Sequence, residues 1–293
     1  MELRELEYFR EVCRTGSFTR AAVNLYVAQP SVTNAVRKLE SELGVQLFHR
    51  TNKTVTITPE GQVFLERITA LLCMAEEIVQ EMRDFDTLSR GSLKLGIPPQ
   101  IGANLFPDLF MEFGALYPNI NLSVFEEGSV ATLDLLEKGE LDVGIIVLPE
   151  TAHELNIHHL RQEPILLCLS PRHPFNGRDV VDFSELRDEK FILRKTDSFH
   201  RNIVLEQCRR HGFTPNVIFS SNQLQTIKSL VAKNVGIAFF MEMVVKHDPT
   251  LVSLPLREPL SVHIGLAWKK GRYTSKAAQA FIDFAITKAA GPS

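Results

Sequence analysis

The stretch that most limits what this chain can fold into runs from Thr58 to Leu88. Thr58 is placed to cap a helix, Pro59 occupies its first position, and Glu60 lies near the positive end of its dipole. Phe64, Ile68, Leu71, Ala75, Ile78, Met82 and Phe85 then follow at alternating spacings of four and three residues, the a/d seam of a coiled coil. At 1.5 Å per residue, a helix of about 30 residues is roughly 45 Å long, too long for a small domain to cover its apolar stripe. The seam therefore needs a partner, either the rest of its own chain or a second copy. Self-pairing is the stronger reading, because a symmetric contact doubles whatever the preceding residues present.

Those preceding residues read as short helices. Leu3, Leu6, Phe9 and Val12 share one face of a first helix that Gly16 stops, and Ser17 caps a second through Thr19 to Leu25. Tyr26-Val27-Ala28 is the turn, and Pro30 opens a third helix reaching Glu40, with Val32, Val36 and Leu39 turned inward. Its other face carries Gln29, Ser31, Thr33, Asn34, Arg37 and Lys38. Amides and hydroxyls reach base edges in a major groove, and the cations that follow neutralise phosphates. Taken alone, such a face is also what any solvated surface helix shows. The next segment turns the reading toward DNA: after Gly44 come two short strand-like stretches around a polar turn at Asn52-Lys53, with Arg50 beside it, the form of a wing lying on the backbone next to the groove.

The formal net charge of -3 speaks against a DNA binder only if charge is spread evenly. Between Arg14 and Thr54 stand Arg14, Arg20, Arg37, Lys38, Arg50 and Lys53 against Glu40 and Glu42, a basic patch on a mildly acidic chain.

Residues 3–61 resemble the DNA-binding domain of LysR-type transcriptional regulators. The resemblance rests on Gly16-Ser17-Phe18-Thr19-Arg20-Ala21-Ala22, Gln29-Pro30, Arg37-Lys38-Leu39-Glu40, Leu43-Gly44-Val45, Leu47-Phe48, Arg50 and Thr58-Pro59-Glu60-Gly61, in order. It implies that Gln29, Ser31, Thr33 and Asn34 face bases and that Arg20, Arg37, Arg50 and Lys53 hold phosphates; Ser17, Thr19, Pro30 and Lys38 complete the set of candidate DNA-binding residues. It also implies dimerisation through the long helix, pairing of dimers into tetramers, and contact with RNA polymerase. Two positions depart from the family pattern: Ala28 stands where Ser is usual and Asn34 where a longer, often cationic, side chain is common.

After Ser89-Arg90-Gly91 breaks the helix, strand-like and helical segments alternate, so the fold class is α/β. A first cycle holds strands at 93–97, 120–125 and 143–147; a second begins near Pro164 with strands at 165–169, 191–193, 217–219 and 235–239. The resemblance makes this a two-lobed effector domain similar to periplasmic solute-binding proteins. The expected organisation is a winged helix-turn-helix over 1–58, a linker and dimerisation helix over 59–90, and an effector domain over 91–293. Lobe I takes 91–161 and 266–293, and lobe II takes 162–265.

Ligands of open α/β sheets sit at the carboxyl ends of strands beside helix starts. Pro99, Gln100 and Ile101, Ser129, Val147, Thr196, Ser198 and Phe199, and Asn222 occupy such places and are the candidate effector-binding residues. Each loop alone could be ordinary helix capping; their shared placement argues for a cleft. Gln100 lies where the family often puts a ligand-binding Ser or Thr. Arg194 and Lys195 beside these helix starts suit a small organic acid.

Other chemistry finds little footing. His153, His158, His159 and His173 lack the i, i+4 pairing of a helical zinc site, and Asp197, Ser198 and His200 are too close in sequence for a triad. The chain has no P-loop and no dinucleotide fingerprint. No metal, no cofactor and no enzymatic activity are expected. Cys13, Cys73, Cys168 and Cys208 form no C-x-x-C pair and read as reduced thiols of a cytoplasmic protein, and no apolar run approaches a membrane span. The expected partners are double-stranded DNA, a small-molecule effector and further copies of the chain. A DNA-tethered enzyme and a sequence-blind DNA-compacting protein are the rival readings.

Overall fold

The computed structural model describes residues 1–50, 55–84, 91–149, 153–195 and 198–290. It divides into two compact units, Met1–Phe85 and Asp86–Ser293.

In the first unit, α1 (Leu3–Thr15), α2 (Phe18–Asn24) and α3 (Gln29–Leu43) pack pairwise around Leu6, Phe9, Val12, Ala21, Val32, Val36 and Leu39. Local chemistry sets the boundaries. Gly16 and Gly44 take left-handed conformations that end α1 and α3, and the Ser17 hydroxyl accepts a hydrogen bond from the Arg20 amide to cap α2. Strands β1 (Phe48–Arg50) and β2 (Val55–Ile57) pair antiparallel, Phe48 opposite Ile57. The Glu40 carboxylate accepts from the Leu47 amide at 3.0 Å, tying the hairpin to α3. Helix α4 (Pro59–Asp84) starts from the buried Thr58, whose hydroxyl donates to the Gln46 carbonyl and accepts from the Gly61 amide. Gly61 permits this close approach: a Cβ there would lie 2.3 Å from the Leu47 carbonyl oxygen.

The first turns of α4 depart from the expected seam. Ile68 is buried in the core of its own domain, with Phe64 and Leu65 packed against that core and Leu72 beside it. Phe64 and Ile68 are therefore used within the domain, because α4 leaves the wing along α1 rather than into solvent. Leu71, Met74, Ile78 and Met82 remain exposed and Ala75 half-buried, so the free stripe is shorter and rotated. Phe85 lies outside the described residues.

The second unit is built on one sheet with strand order β10 (Val252–Leu254), β6 (Leu155–Leu169), β11 (Leu260–Lys269), β5 (Val143–Val147), β3 (Gly91–Gly96) and β4 (Ile120–Phe125), with β9 (Ala238–Met241) also pairing with the C-terminal part of β6. Strands β3 (Gly91–Gly96), β4 (Ile120–Phe125) and β5 (Val143–Val147), with α5 (Pro99–Leu116) and α6 (Ser129–Glu137), make the parallel part. The sequence reading misses the element that joins the lobes. Strand β6 (Leu155–Leu169) runs unbroken across the expected lobe boundary at 161/162, starting well before the strand expected at 165–169, and pairs with β11 (Leu260–Lys269) over most of its length, Arg161 opposite Ile264. The register shifts between Ile264 and Gly265, where a Cβ would meet the His158 carbonyl oxygen at 2.4 Å. Beyond this crossing, β9 (Ala238–Met241) and β10 (Val252–Leu254) flank β6. Parallel strands β7 (Lys190–Leu193) and β8 (Asn216–Ser220) lie with α7 (Phe199–Arg210) and α8 (Leu224–Ala232), while α9 (Glu242–Val245) follows β9 and α10 (Lys276–Ala290) follows β11. Buried Glu163 fastens the crossing by accepting from the Met243 amide at 2.6 Å and the Arg161 Nε at 2.9 Å. Among the described residues no helix is long and apolar enough to cross a membrane.

Candidate nucleic-acid interface and interlobe cavity

On the first unit, α3 turns Val32, Val36 and Leu39 inward, which leaves Gln29, Pro30, Ser31, Asn34 and Arg37 exposed and Thr33 half-exposed on its outer side. Gln29 Nε2 donates to Thr33 Oγ1 at 3.0 Å, so these two side chains brace each other one turn apart. Thr19 and Arg20 are exposed on α2, and with Arg14, Thr15, Val23 and Asn24 they line a shallow groove. The outer face is polar and cationic, as base and phosphate contacts require.

Lys38 has another task. Its ammonium sits 2.6 Å from Glu5 on α1, with Glu2 and Glu42 also near, and this partner holds the Glu5 carboxyl below the usual carboxylate range. The charge thus serves the α1–α3 packing, leaving Arg37 as the outward cation of that pair. Arg50 is on β1; its side chain and Lys53 lie outside the described residues. The sequence reading treats Tyr26 only as part of a turn, yet it has a φ of 55° and is 96% exposed. A positive φ on a bulky residue is uncommon and throws its ring off the domain beside the start of α3.

On the second unit, a narrow pocket with about 10 Å³ of free space lies between the lobes. Lobe I supplies Pro98, Gln100, Gly128, Ser129 and Val147; lobe II supplies Arg194, Ser198, Phe199, His200 and Met241. Three helices begin at its edge, with Pro98, Gly128 and Ser198 as the N-caps of α5, α6 and α7, and none of these caps uses a side-chain hydrogen bond. Their free N–H ends give the pocket a positive potential. Ser129 Oγ accepts from the Val147 amide at 3.2 Å, which fixes the hydroxyl within the wall.

Gln100 is 2% exposed, and neither its Oε1 nor its Nε2 has a hydrogen-bond partner; the same holds for Nε2 of buried His200. Burial, with the Arg194 charge adding to it, pushes the His200 imidazole down to about 3, so it is neutral at physiological pH. Leaving such groups buried and unsatisfied costs about 1–3 kcal/mol each, which native proteins rarely accept without a use.

Of the expected effector residues, Gln100, Ser129, Val147, Ser198 and Phe199 meet in this pocket. Pro99 and Ile101 do not line it, Ile101 being fully buried in the core. Asn222 instead accepts from the Lys195 amide at 3.3 Å, and Thr196 lies outside the described residues. His200, Pro98 and Met241 join without having been expected; His200 was weighed only for catalysis, although its place in the first turn of α7 was available as a signal. Among the described residues no group of three or more His, Cys, Asp or Glu gathers as a metal site. Burial pushes the thiols of Cys13 and Cys168 up to about 12 and Cys208 up to about 11, far from reactive thiolates.

A winged helix-turn-helix joined to a two-lobed α/β domain with a polar interlobe pocket defines the class: a DNA-binding transcription regulator carrying an effector-binding domain. Residues 3–62 match the family of bacterial regulatory helix-turn-helix proteins, lysR family, and residues 86–290 match the LysR substrate binding domain. The chain belongs to the LysR family of transcriptional regulators. It is 32% identical over 286 residues to the uncharacterized HTH-type transcriptional regulator YwbI of Bacillus subtilis (strain 168), covering 97% of this chain and 95% of that protein. It is 29% identical over 278 residues to the DNA-binding transcriptional dual regulator OxyR of Escherichia coli (strain K12), covering 92% of this chain and 90% of that one. A full-length OxyR variant from Pseudomonas aeruginosa superimposes with a TM-score of 0.72 at 27% identity, over 97% of this chain and 94% of that structure.

Proposed function

We propose that this regulator reads a two-half-site operator as a dimer and changes its grip when a small organic acid enters the interlobe pocket. The observation that carries the reading is the pocket itself, where buried and unsatisfied Gln100 and His200 from opposite lobes face one space. A ligand that completes both would favour the closed arrangement of the lobes, which is a shift of population toward one state. Gln29, Ser31, Thr33 and Asn34 are the proposed base contacts. Ser17, Thr19, Arg20, Arg37 and Tyr26 hold phosphates, together with Arg50 and Lys53 of the wing. Lys38, although exposed, is assigned to the contact between α1 and α3 because of its ion pair with Glu5. The exposed stripe of Leu71, Met74, Ile78 and Met82 supports pairing of two copies through α4. Further pairing into tetramers and contact with RNA polymerase follow the family pattern.

The test is selection of bound sequences from a random DNA pool by the purified protein, with and without a metabolite extract. Recovery of a motif with two half-sites whose occupancy or footprint changes with the extract is expected. Sequence-blind binding would point to a DNA-compacting protein, and turnover of a pocket ligand to a tethered enzyme.

A further inference from the structure

We infer that Tyr26 grips the sugar–phosphate backbone of DNA, its hydroxyl donating to a phosphate oxygen and its ring lying with Val23 against the adjoining deoxyribose. The inference rests on the proposed reading of α2 and α3 as the DNA interface. It deepens that reading by giving one residue a charge-free hold on the backbone, kept at the expense of a strained turn.

The strain is set by how α2 ends. The Tyr26 amide donates to the Val23 carbonyl at 3.2 Å and the Val27 amide to the Ala22 carbonyl at 3.0 Å. This closing pattern puts residue 26 in the left-handed region, at a φ of 55°, where glycine or asparagine is the ordinary choice. Gly16 and Gly44 end α1 and α3 in the same conformation. Among the described residues the other non-glycine position with a positive φ is Asn234, a residue type that tolerates it. Tyr26 is therefore the misfit, and its own domain gains nothing from the ring, which is 96% exposed; Val23, one turn earlier, is 68% exposed. Bulky residues held in disfavoured backbone conformations cluster where a protein clamps something else.

Placement names what is clamped. Tyr26 stands three residues before Gln29, the first residue of α3. On its other side, Val23 shares a groove with Thr19, Arg20 and Arg14. Arg14 is taken up by Glu11 at 2.6 Å, whereas Arg20 is exposed. The ring and Val23 thus form an apolar step between an outward cation and the start of the recognition helix. A nucleic-acid strand crossing from one to the other offers a deoxyribose to that step and a phosphate oxygen to the hydroxyl, a donor of the kind backbone contacts use.

The absence of charge gives this contact its signature. A cation on a phosphate releases counterions and steepens the salt dependence, and a hydroxyl does not. A backbone contact also carries no sequence information.

Equilibrium binding of the full chain to the operator recovered by selection, and to a random-sequence duplex, is measured across a salt series for the wild type, Tyr26→Phe and Tyr26→Asn. Tyr26→Phe should weaken binding about ten-fold, the loss of one hydrogen bond to a charged group, and Tyr26→Asn should weaken it further because the ring goes too. Both should act equally on the two duplexes and leave the selected motif and the slope of log K against log salt unchanged. Because Asn suits the left-handed region, Tyr26→Asn should unfold at a denaturant midpoint no lower than the wild type. Wild-type affinity in both variants, a changed slope or a changed motif overturns the assignment. A lower midpoint in Tyr26→Asn also overturns it, since the ring would then belong to the fold. Arg37→Ala in the same assay separates this failure from failure of the interface. If Arg37→Ala weakens binding while the Tyr26 variants bind like the wild type, α2 and α3 remain the DNA interface and only Tyr26 is released from it. If none of the three variants changes binding, the interface falls as well.

Discussion

At the scale of single residues, the same chemistry has different meanings in different surroundings. Arg37 and Lys38 are adjacent cations on α3, but Lys38 is engaged by Glu5 while Arg37 faces outward. If Arg37 neutralises a phosphate, Arg37→Ala weakens binding to all sequences alike and lowers the slope of log K against log salt by about one. Filter binding across a salt series checks this, and an unchanged slope would remove Arg37 from the interface. His200 makes a second testable case. Its imidazole is depressed from 6.5 to about 3, first by burial and then by the charge of Arg194. Below the ordinary value the unfolded chain takes up a proton that the native state refuses, so stability is lost as pH falls below 6.5, by up to about 1.4 kcal/mol per pH unit until the folded value is reached. Denaturant unfolding of the wild type between about pH 7 and pH 5 should show this acid slope, and His200→Phe should be shallower over the same interval. Equal slopes would mean that the ring is not held neutral in the folded state.

At the scale of elements, α4 shows what a spacing pattern can and cannot convey. The alternation of fours and threes identified a long helix with one apolar stripe, and the helix is there from Pro59 to Asp84. Spacing does not say which copy of a face meets which neighbour. Phe64 and Ile68 are taken up by the domain that α4 leaves, whereas Leu71, Ile78 and Met82 are exposed. The two ends therefore respond differently to the same substitution. Leu71→Glu should leave the first unit folded and shift sedimentation toward monomer, while Ile68→Glu should cost about 3 kcal/mol or more by burying an unpaired charge. A dimer that survives Leu71→Glu would place the interface elsewhere. The winged helix-turn-helix was legible because its signals are local: Gly16, Ser17, Pro30, Gly44 and Thr58 each act within a turn of where they stand. The crossing strands were not. Strand β6 carries Arg161-Gln162-Glu163-Pro164 at its middle, where Arg161, Gln162 and Pro164 are exposed and the buried residue is the charged Glu163, so the apolar alternation that marks a strand is missing. The pocket was half legible for a related reason. Strand ends and helix starts pointed to Gln100, Ser129 and Ser198, but only the folded lobes bring His200 and Met241 to the same space.

At the scale of the whole molecule, regulation requires that the pocket on one unit and the helix-turn-helix on the other share one equilibrium. Proximity plays no part in the requirement, and thermodynamics makes it measurable. If an effector changes operator affinity by some factor, the operator must change effector affinity by the same factor, because both are differences between the same states. For a regulator of this kind the factor is expected to be about 5–150, equivalent to about 1–3 kcal/mol of coupling. The dependence on the pocket then follows from its residues: Gln100→Leu removes the groups through which the ligand distinguishes the lobe arrangements, so operator affinity should lose its response to effector. Titrating effector into the free protein and into its complex with a selected operator gives one side of the cycle, and titrating operator with and without effector gives the other. Shifts by the same factor and in the same direction are expected in the wild type, with both shifts absent in Gln100→Leu. An effector that binds with the same affinity in both titrations would still occupy the pocket, but it would not be the signal, since a ligand indifferent to the two states moves neither.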